Sequence, residues 1–416
     1  MNGQTLSGQT LNVQPTSAQD SSKALNITIL VSDLSDSGAG RWGDAVRPFL
    51  LTKALHSLGH RVKILGFNKD GSGSLQSAEQ LPIQQIPGGI YPKFFSSARQ
   101  LLKALADQPG DLIYAYKPKP SSFGLGLLHR WRHRTPLFLD IDDWELSWHG
   151  GDAYRYRASP RQLIRDLRSD CALREPDHPA YLKQLERLIG RADRVTTHNQ
   201  FLQRRFGGTY IPNGKDIHAF DPARYDGQGS RDRFHLTGFR TLMFPGAPRP
   251  YKGVEDILAA LEQLNWPDLR LVIVGGSPYD QYDQQLMSRW GQWIIKIPKV
   301  PYSQMPEVIS AADCIVVPQQ DVPAAQAQFP LKLTDGMAMA KPILATRVGD
   351  IPRIVGDTGE LADPGNPAQL AAGIEAIFSD LAAAQARGQR GRDRCIEHYS
   401  IEAMARTLAE ILPVKR

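Results

Sequence analysis

Short apolar runs alternate with longer amphipathic stretches along almost the whole chain. In the first half the runs predict β-strands at residues 27–31, 62–67, 112–116, 137–141 and 195–197. Between them, apolar residues recur at intervals of three and four, which predicts helices at residues 44–58, 95–106 and 180–189. Such alternation of strand and helix is typical of a parallel sheet that is covered on both faces.

The same alternation begins again in the second half. It predicts strands at residues 242–244, 269–275, 294–297, 314–318 and 343–345, and helices at residues 254–264, 305–311 and 333–339. After Pro367 the chain is expected to be helical to its end, with a final amphipathic stretch at residues 401–412. We expect these C-terminal helices to pack back across both domains.

Residues 221–232 separate the two halves, because they concentrate breakers and charges without apolar periodicity. A chain of 416 residues also exceeds what one hydrophobic core usually supports. The sequence therefore predicts an α/β protein with two tandem doubly wound Rossmann-like domains, at residues 25–225 and 232–395, and a last helix (396–416) packed on the first domain. Such sheets bind ligands at the carboxyl ends of their strands, so we expect the active site in the cleft between the domains.

Residues 1–24 are polar, with no apolar core and no basic start, which predicts a disordered tail and neither a signal peptide nor a membrane anchor. The three cysteines, Cys171, Cys314 and Cys395, lie far apart and form no CxxC pair. Neither a disulfide framework nor a structural zinc site is therefore indicated. This composition favours a cytoplasmic protein.

Positive charge is concentrated in the first half of the chain. Residues 1–230 contain 29 Lys and Arg against 22 Asp and Glu, whereas the remainder is nearly balanced. Many of these cations lie at residues 130–134 and 155–168, where they are able to meet an anionic membrane surface or a phosphate-bearing acceptor. The alternative interpretation is that these cations lie on solvated helix faces without a partner. We expect no nucleic-acid partner.

The stretch from Phe244 to Gly253 carries the strongest chemical signal. A predicted strand leads into a turn that contains Gly246, Arg249 and Lys252, and a predicted helix follows directly. The N-terminus of a helix attracts anions through its free N–H groups and its dipole, and nearby cations add charge-assisted hydrogen bonds. The turn therefore predicts a phosphate site, with an ordinary strand–turn–helix corner as the alternative.

Three further segments accompany this turn in chain order. A glycine loop with Gly38, Gly40 and Arg41 follows the first strand, and its glycines allow a close backbone approach. The first domain closes with residues 210–216, Tyr-Ile-Pro-Asn-Gly-Lys-Asp. A later segment, residues 329–342, places Lys332 and Asp335 at the start of a helix that is expected to face the cleft.

Together these segments resemble the family-4 group of retaining glycosyltransferases with the GT-B fold, and the resemblance covers nearly all of residues 25–412. Residues 211–216 look like the family's "PNGVD" turn, Lys252-Gly253 like its "KG" donor-phosphate motif, and residues 333–342 like its "EAMAxGxP" helix. The resemblance implies that Lys252 holds the donor diphosphate. It also implies that Asp335, in place of a glutamate, binds the nucleotide ribose.

Gly246, Lys332, Leu331 and Leu333 are likewise expected to bind the donor. The chain departs from the family pattern in two places. The arginine that usually follows the glycine of the phosphate turn is replaced by Ala247, and we expect Arg249 to reach the same phosphate from two residues on. The first glutamate of the family pattern is replaced by Ala327, so no carboxylate is available there.

An acidic cluster, residues 140–145, follows a predicted strand on the acceptor side. Asp142 or Asp143 is expected to orient the acceptor hydroxyl or the transferred sugar, and we count both with Lys252 and Arg249 as candidate catalytic residues. Asp140 and Asp142 also form an Asp-x-Asp pattern, which in the other major glycosyltransferase fold binds a divalent metal, although the cations of the phosphate turn already supply that charge. We therefore expect no metal.

Trp144 within this cluster and His149 beyond it are candidate acceptor contacts. His149 lies in a glycine-bearing loop, and Trp144 has a ring that can stack on a sugar. The alternatives are a surface histidine and packing of the loop by the tryptophan. His198 ends an apolar strand and is interpreted as structural.

The function predicted by this resemblance is transfer of a sugar, with retained configuration, from a nucleotide diphosphate sugar to a carbohydrate or glycolipid acceptor. The nucleotide sugar is a co-substrate, and no separate cofactor is expected. Polysaccharide or glycolipid assembly is the expected pathway, in the cytoplasm, with peripheral contact to the inner membrane surface as an open alternative. A nucleotide-sugar 2-epimerase and a non-catalytic sugar-nucleotide-binding protein are the competing hypotheses.

Overall fold

The computed structural model describes residues 24–36, 38–39, 47–72, 81–157, 159–166, 172–277 and 280–414. It contains two parallel sheets with helices on their faces, which confirms the predicted class of two doubly wound α/β domains. The predicted disordered tail lies outside the described residues apart from Ala24.

The first sheet is built from the first seven strands, all of them parallel. They are β1 (Asn26–Val31), β2 (Arg61–Asn68), β3 (Ile83–Pro87), β4 (Leu112–Tyr116), β5 (Leu137–Ile141), β6 (Arg194–Thr197) and β7 (Thr209–Tyr210). Their spatial order is β3-β2-β1-β4-β5-β6-β7. Strands β4 and β5 are buried along their whole length, as expected for the centre of a parallel sheet that is covered on both faces.

The second sheet has six parallel strands. They are β8 (Arg240–Pro245), β9 (Leu269–Val274), β10 (Ile294–Ile297), β11 (Cys314–Val317), β12 (Ile343–Thr346) and β13 (Glu360–Ala362), in the spatial order β10-β9-β8-β11-β12-β13. The strand order reverses between β1 and β4 in the first sheet and between β8 and β11 in the second. Ligands of doubly wound sheets bind at such points, so the phosphate turn, which directly follows β8, is correctly placed for a ligand.

Sixteen α-helices surround these sheets in the described part of the chain. The first domain contains α1 (Arg47–Ser57), α2 (Phe94–Asp107), α3 (Leu125–His133), α4 (Pro160–Asp166), α5 (Pro179–Arg187) and α6 (Gln200–Phe206). The second contains α7 (Gly227–Arg233), α8 (Val254–Leu264), α9 (Tyr282–Trp290), α10 (Met305–Ser310), α11 (Pro323–Gln326), α12 (Leu331–Ala338), α13 (Ile351–Val355) and α14 (Pro367–Ser379). The chain ends with α15 (Leu381–Tyr399) and α16 (Ile401–Ile411).

The C-terminal helices cross back between the domains, as predicted. Helix α15 packs on α12 of the second domain, and α16 packs on α1 of the first. The apolar face of α16, with Ile401, Met404 and Leu408, is buried in the same core as Leu51 and Leu55 of α1. The amphipathic pattern of residues 401–412 therefore covers the first domain.

The chain passes between the domains at two segments that are bonded to each other. The backbone N–H of Lys215 donates to the carbonyl of Tyr399 (2.6 Å), and the N–H of Ile401 donates to the carbonyl of Lys215 (3.0 Å). Phe220 already packs in the core of the second domain. The first crossing thus lies before the boundary predicted at residues 221–232, a segment that contains the short helix α7, which periodicity did not predict.

All ten predicted strands are present, with ends shifted by a few residues at most. The prediction missed three strands, β3, β7 and β13, and each of them lies at the edge of its sheet. Edge strands pair on one side only and need no continuous apolar run. Their formation therefore depends on a neighbouring strand that local sequence does not reveal.

Candidate functional site

The phosphate turn joins β8 to α8 through a single 3₁₀ turn at Pro250–Lys252. Gly253 then adopts a left-handed φ of 67°, and a Cβ atom at this position would lie 1.8 Å from the carbonyl oxygen of Pro318. Only glycine fits this close approach to the end of β11. Gly246 has a φ of 133°, and the space in front of it is open as far as the side chain of Lys332.

Three cationic side chains converge at this turn. Lys252 donates a hydrogen bond to the carbonyl of Ala247 (2.9 Å), and the Nζ atom of Lys332 lies 4.6 Å from the centre of the Phe244 ring. Arg249 is ion-paired with Asp280 (3.1 Å). Among the described residues, neither lysine has a carboxylate within ion-pairing distance. The turn therefore brings together the predicted donor residues Gly246, Arg249, Lys252 and Lys332.

Burial lowers the pKa of both lysines. The pKa of Lys252 falls well below its usual value because of burial and the charges of Lys332 and Arg249. Burial lowers the pKa of Lys332 to about 8, although the charge of Asp335 opposes this shift. A bound anion would favour the charged form of both lysines, because it supplies the opposite charge that the described residues do not place in contact with them.

The first turn of α12 carries the remaining predicted donor residues. Leu333 is fully buried in the core of the second domain, so its side chain faces away from the cleft and only its backbone remains available to a donor. Leu331 is half-buried and packs against the cores of both domains. The carboxylate of Asp335 is buried and ion-paired with Lys215, a partner that the sequence did not predict.

Side chains of the first domain hold the segment that precedes α12. The Nε2 atom of His198 accepts a hydrogen bond from the N–H of Phe329 (2.9 Å), and the Asn199 amide donates to the carbonyl of Gln326 (3.3 Å). Burial lowers the pKa of His198 to about 3, so its ring is neutral and able to accept this bond. His198 therefore has the structural role that was expected.

On the acceptor side, Asp140 is fully buried beneath the cleft. Both of its oxygens accept from the guanidinium of Arg47 (2.8 Å each), and Oδ1 also accepts from Thr196 (2.6 Å). Arg47 in turn donates to the carbonyl of Ile211 and the side chain of Asn213 in the "PNGVD"-like turn. Asp140 is thus a structural carboxylate. Arg47 and Thr196 already occupy its oxygens, so they are not available to a metal site shared with Asp142.

Asp142 and Glu145 belong to a second network at the end of β4. Asp142 accepts a hydrogen bond from the hydroxyl of Tyr116 and lies 3.5 Å from Lys117. Glu145 pairs with Lys117 (2.5 Å) and Lys119 (3.0 Å), and these two charges outweigh burial and lower its pKa. No group of three or more His, Cys, Asp or Glu in the described ranges has the arrangement of a metal site.

Asp143 differs from its acidic neighbours because no cation among the described residues is paired with it. Its Oδ2 atom accepts from the indole N–H of Trp148 (3.0 Å), whereas its buried Oδ1 accepts no hydrogen bond from the part of the chain that the structure describes. Burial raises the pKa of Asp143 to about 6, although the charge of Lys117 opposes the shift. Trp148 in turn meets the ring of Tyr251, next to Lys252, edge to face at 5.8 Å. The donor and acceptor sides therefore touch through two aromatic rings.

The prediction for Trp144 is corrected by the structure. Its ring is buried against Phe201, and the guanidinium of Arg205 covers it at 3.7 Å from the ring centre. No face of the ring is left for an acceptor. Trp148, which is 47% exposed, is the tryptophan that reaches the cleft. His149 is exposed at the end of the 3₁₀ turn Glu145–His149, and its role as an acceptor contact stays a prediction.

The glycine loop is only partly described. Gly40 and Arg41 lie outside the described residues. Gly38 packs against Asp33, whose carboxylate accepts hydrogen bonds from the N–H and hydroxyl of Ser35. Sequence reasoning singled out the segments that contain Tyr251 and Lys215 but assigned neither residue a role. Tyr251 lies within the phosphate turn and was a detectable signal, whereas the partner of Lys215 is 120 positions away in the sequence.

Two family descriptions match the chain in order. "Glycosyl transferase 4-like domain" matches residues 45–218, and "Glycosyl transferases group 1" matches residues 239–380. Together they cover about three quarters of the chain, and each falls on one of the two sheets.

Two curated relatives illustrate the similarity. The GDP-mannose-dependent alpha-(1-6)-phosphatidylinositol monomannoside mannosyltransferase of Mycolicibacterium smegmatis is 25% identical over 254 residues, which cover 57% of this chain and 66% of the relative. The glycogen synthase of Mycobacterium tuberculosis is 28% identical over 215 residues, covering 50% of this chain and 49% of the relative. The matches thus span about half to two thirds of these relatives.

Solved structures share the fold over nearly the full length. Anabaena HepE in complex with UDP-glucose has a TM-score of 0.71 at 18% identity, covering 93% of this chain and 98% of that chain. Sucrose-phosphate synthase from Thermosynechococcus elongatus has a TM-score of 0.69 at 19% identity, with the same coverage. With both domains matched in order and the fold shared throughout, this chain belongs to the family-4 glycosyltransferases and has the GT-B fold.

Proposed function

We propose that the protein transfers a sugar from a nucleotide diphosphate sugar to an acceptor hydroxyl, with retained anomeric configuration. The observation that carries this proposal is the pair of half-buried lysines, Lys252 and Lys332, at the carboxyl end of the second sheet, for which the described residues supply no carboxylate partner in contact. A diphosphate is the chemical group that complements two such cations and the start of α8. No cofactor or metal is part of the proposal.

The lysines would act mainly on the leaving group. When the bond between the sugar and the diphosphate breaks, negative charge grows on the diphosphate oxygens. Cations that are already in place stabilise this charge more in the transition state than in the ground state, which lowers the barrier. Arg249 would assist from the rim of the turn, and Asp335 would hold the ribose.

Asp143 is the carboxylate that we assign to the acceptor side. Its unpartnered, buried Oδ1 is available to accept a hydrogen bond from the acceptor hydroxyl or the transferred sugar. Asp142 would support it through Tyr116 and Lys117. Trp148 would form the apolar wall on which a sugar ring stacks.

The relatives support a hexose donor. The mycobacterial mannosyltransferase is named for GDP-mannose and a phosphatidylinositol monomannoside, and HepE was solved with UDP-glucose. We therefore propose a hexosyltransferase that works in polysaccharide or glycolipid assembly.

We also propose that the first domain contacts an anionic membrane surface. Among the described residues, nine of the eleven exposed large apolar side chains lie in this domain, including Trp131 (81% exposed), Phe95 (79%) and Ile164 (62%). Arg130 and Arg132 flank Trp131 on α3. Exposed aromatic rings beside cations match the interface of an anionic bilayer. None of the described helices is long and apolar enough to cross a membrane.

The proposed reaction is tested by incubating the purified protein with labelled UDP- and GDP-hexoses, with and without EDTA. We expect hydrolysis of the donor, or transfer once a suitable acceptor lipid or saccharide is added, at a rate that EDTA does not change. Formation of an epimer would favour the 2-epimerase, and binding without turnover would favour the non-catalytic protein. Loss of turnover in EDTA would contradict the metal-free site.

Substitution of Lys252 tests the leaving-group role. We expect Lys252→Ala to reduce kcat by roughly 100-fold or more, the effect of removing one preorganised donor to a developing anion. Lys63→Ala, at the other end of the first sheet, is the matched control and should retain full activity. A Lys252→Ala rate near that of the wild type would refute the assignment.

The pH profile of kcat/KM tests the two sides of the cleft together. Activity should rise as Asp143 loses its proton near pH 6 and fall as Lys332 loses its proton near pH 8, since the carboxylate and the ammonium are the active forms. In Asp143→Asn the acid limb should disappear and the basic limb remain. An acid limb that persists in this variant would show that another group controls it.

Membrane contact is tested by sedimentation with vesicles. The wild type should bind vesicles that contain phosphatidylglycerol, more weakly at high salt, and should not bind pure phosphatidylcholine. Phe95→Ala/Trp131→Ala should reduce binding by roughly tenfold or more, because two large apolar side chains are lost. Met287→Ala, on the second domain, serves as the control. Equal binding by all three proteins would exclude this surface.

A further inference from the structure

Lys215 occupies the point where the chain passes from one domain to the other. Lys215 is 1% exposed. Its backbone N–H and carbonyl form hydrogen bonds with Tyr399 and Ile401 of the second crossing segment. The "PNGVD" pattern that residues 211–216 resemble has valine at this position. A buried lysine here is costly unless its charge is paired and its hydrogen bonds are made.

The side chain of Lys215 finds these partners in the second domain. Its ammonium group is ion-paired with Oδ1 of Asp335, donates a hydrogen bond to the hydroxyl of Tyr302 (2.7 Å) and lies 4.4 Å from the centre of the Phe220 ring. Attraction to Asp335 outweighs burial and raises the pKa of Lys215, so the group remains charged. The crossing segment and the first turn of α12 are thereby fixed to each other.

The other oxygen of Asp335 is not engaged in the same way. Lys215 donates to Oδ1, and the structure records no hydrogen bond from a described residue to Oδ2. The same helical turn carries Lys332, which faces the phosphate turn. An aspartate is also one methylene shorter than the glutamate of the family pattern, so the direction of its carboxylate matters more for reaching a ligand.

We infer that Lys215 is a positioning residue for the donor: by holding Oδ1 of Asp335 at the interdomain crossing, it directs Oδ2 toward the ribose hydroxyls of the nucleotide. This inference rests on the proposed function and extends it to a residue outside the cleft. A buried ion pair by itself is weak evidence for a stabilising role, because an apolar replacement is often as stable. The orientation of Asp335 is therefore the property to be measured.

Calorimetric titration with UDP and with 2′,3′-dideoxy-UDP separates orientation from stability, and GDP with its dideoxy form is run in parallel. The wild type should bind the ribose form more tightly. In Lys215→Met, which keeps the length of the side chain without its charge, affinity for the ribose form should fall about tenfold, the value of one hydrogen bond to a charged group. Affinity for the dideoxy form should stay unchanged.

The control is Lys341→Met, which removes a half-buried lysine of the second domain whose hydrogen bonds to described residues go to the carbonyls of Ser310 and Ala312. It should bind both nucleotides like the wild type. An equal loss for both nucleotides in Lys215→Met, or no loss for either, would overturn the inference. Failure of the wild type to bind any of these nucleotides would instead count against the proposed function.

A second variant covers the case in which Lys215→Met does not fold. Lys215→Arg keeps the charge, but its planar guanidinium is suited to engage both oxygens of a carboxylate. We expect this variant to fold and to lose the preference for the ribose form. A preference that remains at the wild-type value in Lys215→Arg would contradict the role of Oδ2.

Discussion

The geometry of the cleft depends on how the first turn of α12 is held between the two domains. This turn and the residues just before it are part of the second domain. The first domain nevertheless holds them through a hydrogen bond from Phe329 to His198 and an ion pair between Lys215 and Asp335. Leu331 adds an apolar contact with both cores. Because a packed interface has few alternative arrangements, these contacts place Lys332 opposite the phosphate turn. The proposed donor site is therefore expected to be sensitive to the relative position of the domains.

Buried and half-buried charges in this protein fall into two groups with different consequences. Arg47 with Asp140, and Glu145 with its two lysines, form ion pairs within the protein. Lys252, Lys332 and Asp143 are half-buried without such partners among the described residues, and their pKa values shift so as to favour the neutral form. The first group supports the fold around the cleft, whereas the second is available for the charges and hydrogen bonds of the proposed substrate.

Sequence reasoning identified residues that are close together along the chain and failed where a contact joins distant segments. Lys252, Arg249 and Gly246 were found together because they lie within one turn between a strand and a helix. The expected acceptor contact of Trp144 was wrong because its ring is covered by Arg205, a residue far along the chain. Asp140 was considered as a metal ligand because the sequence does not show its partner. That partner, Arg47, lies 93 residues away along the chain and donates to its carboxylate.

The sequence by itself determined the alternation of strands and helices, the presence of two domains and the phosphate turn. Each of these features depends on local apolar periodicity or on one short segment. Only the tertiary structure decided which carboxylates are paired, which tryptophan reaches the cleft and where the edge strands form. It also revealed that Lys215 and Asp335 meet. These outcomes depend on contacts between distant segments, and a side chain's burial and partners are properties of the assembled fold.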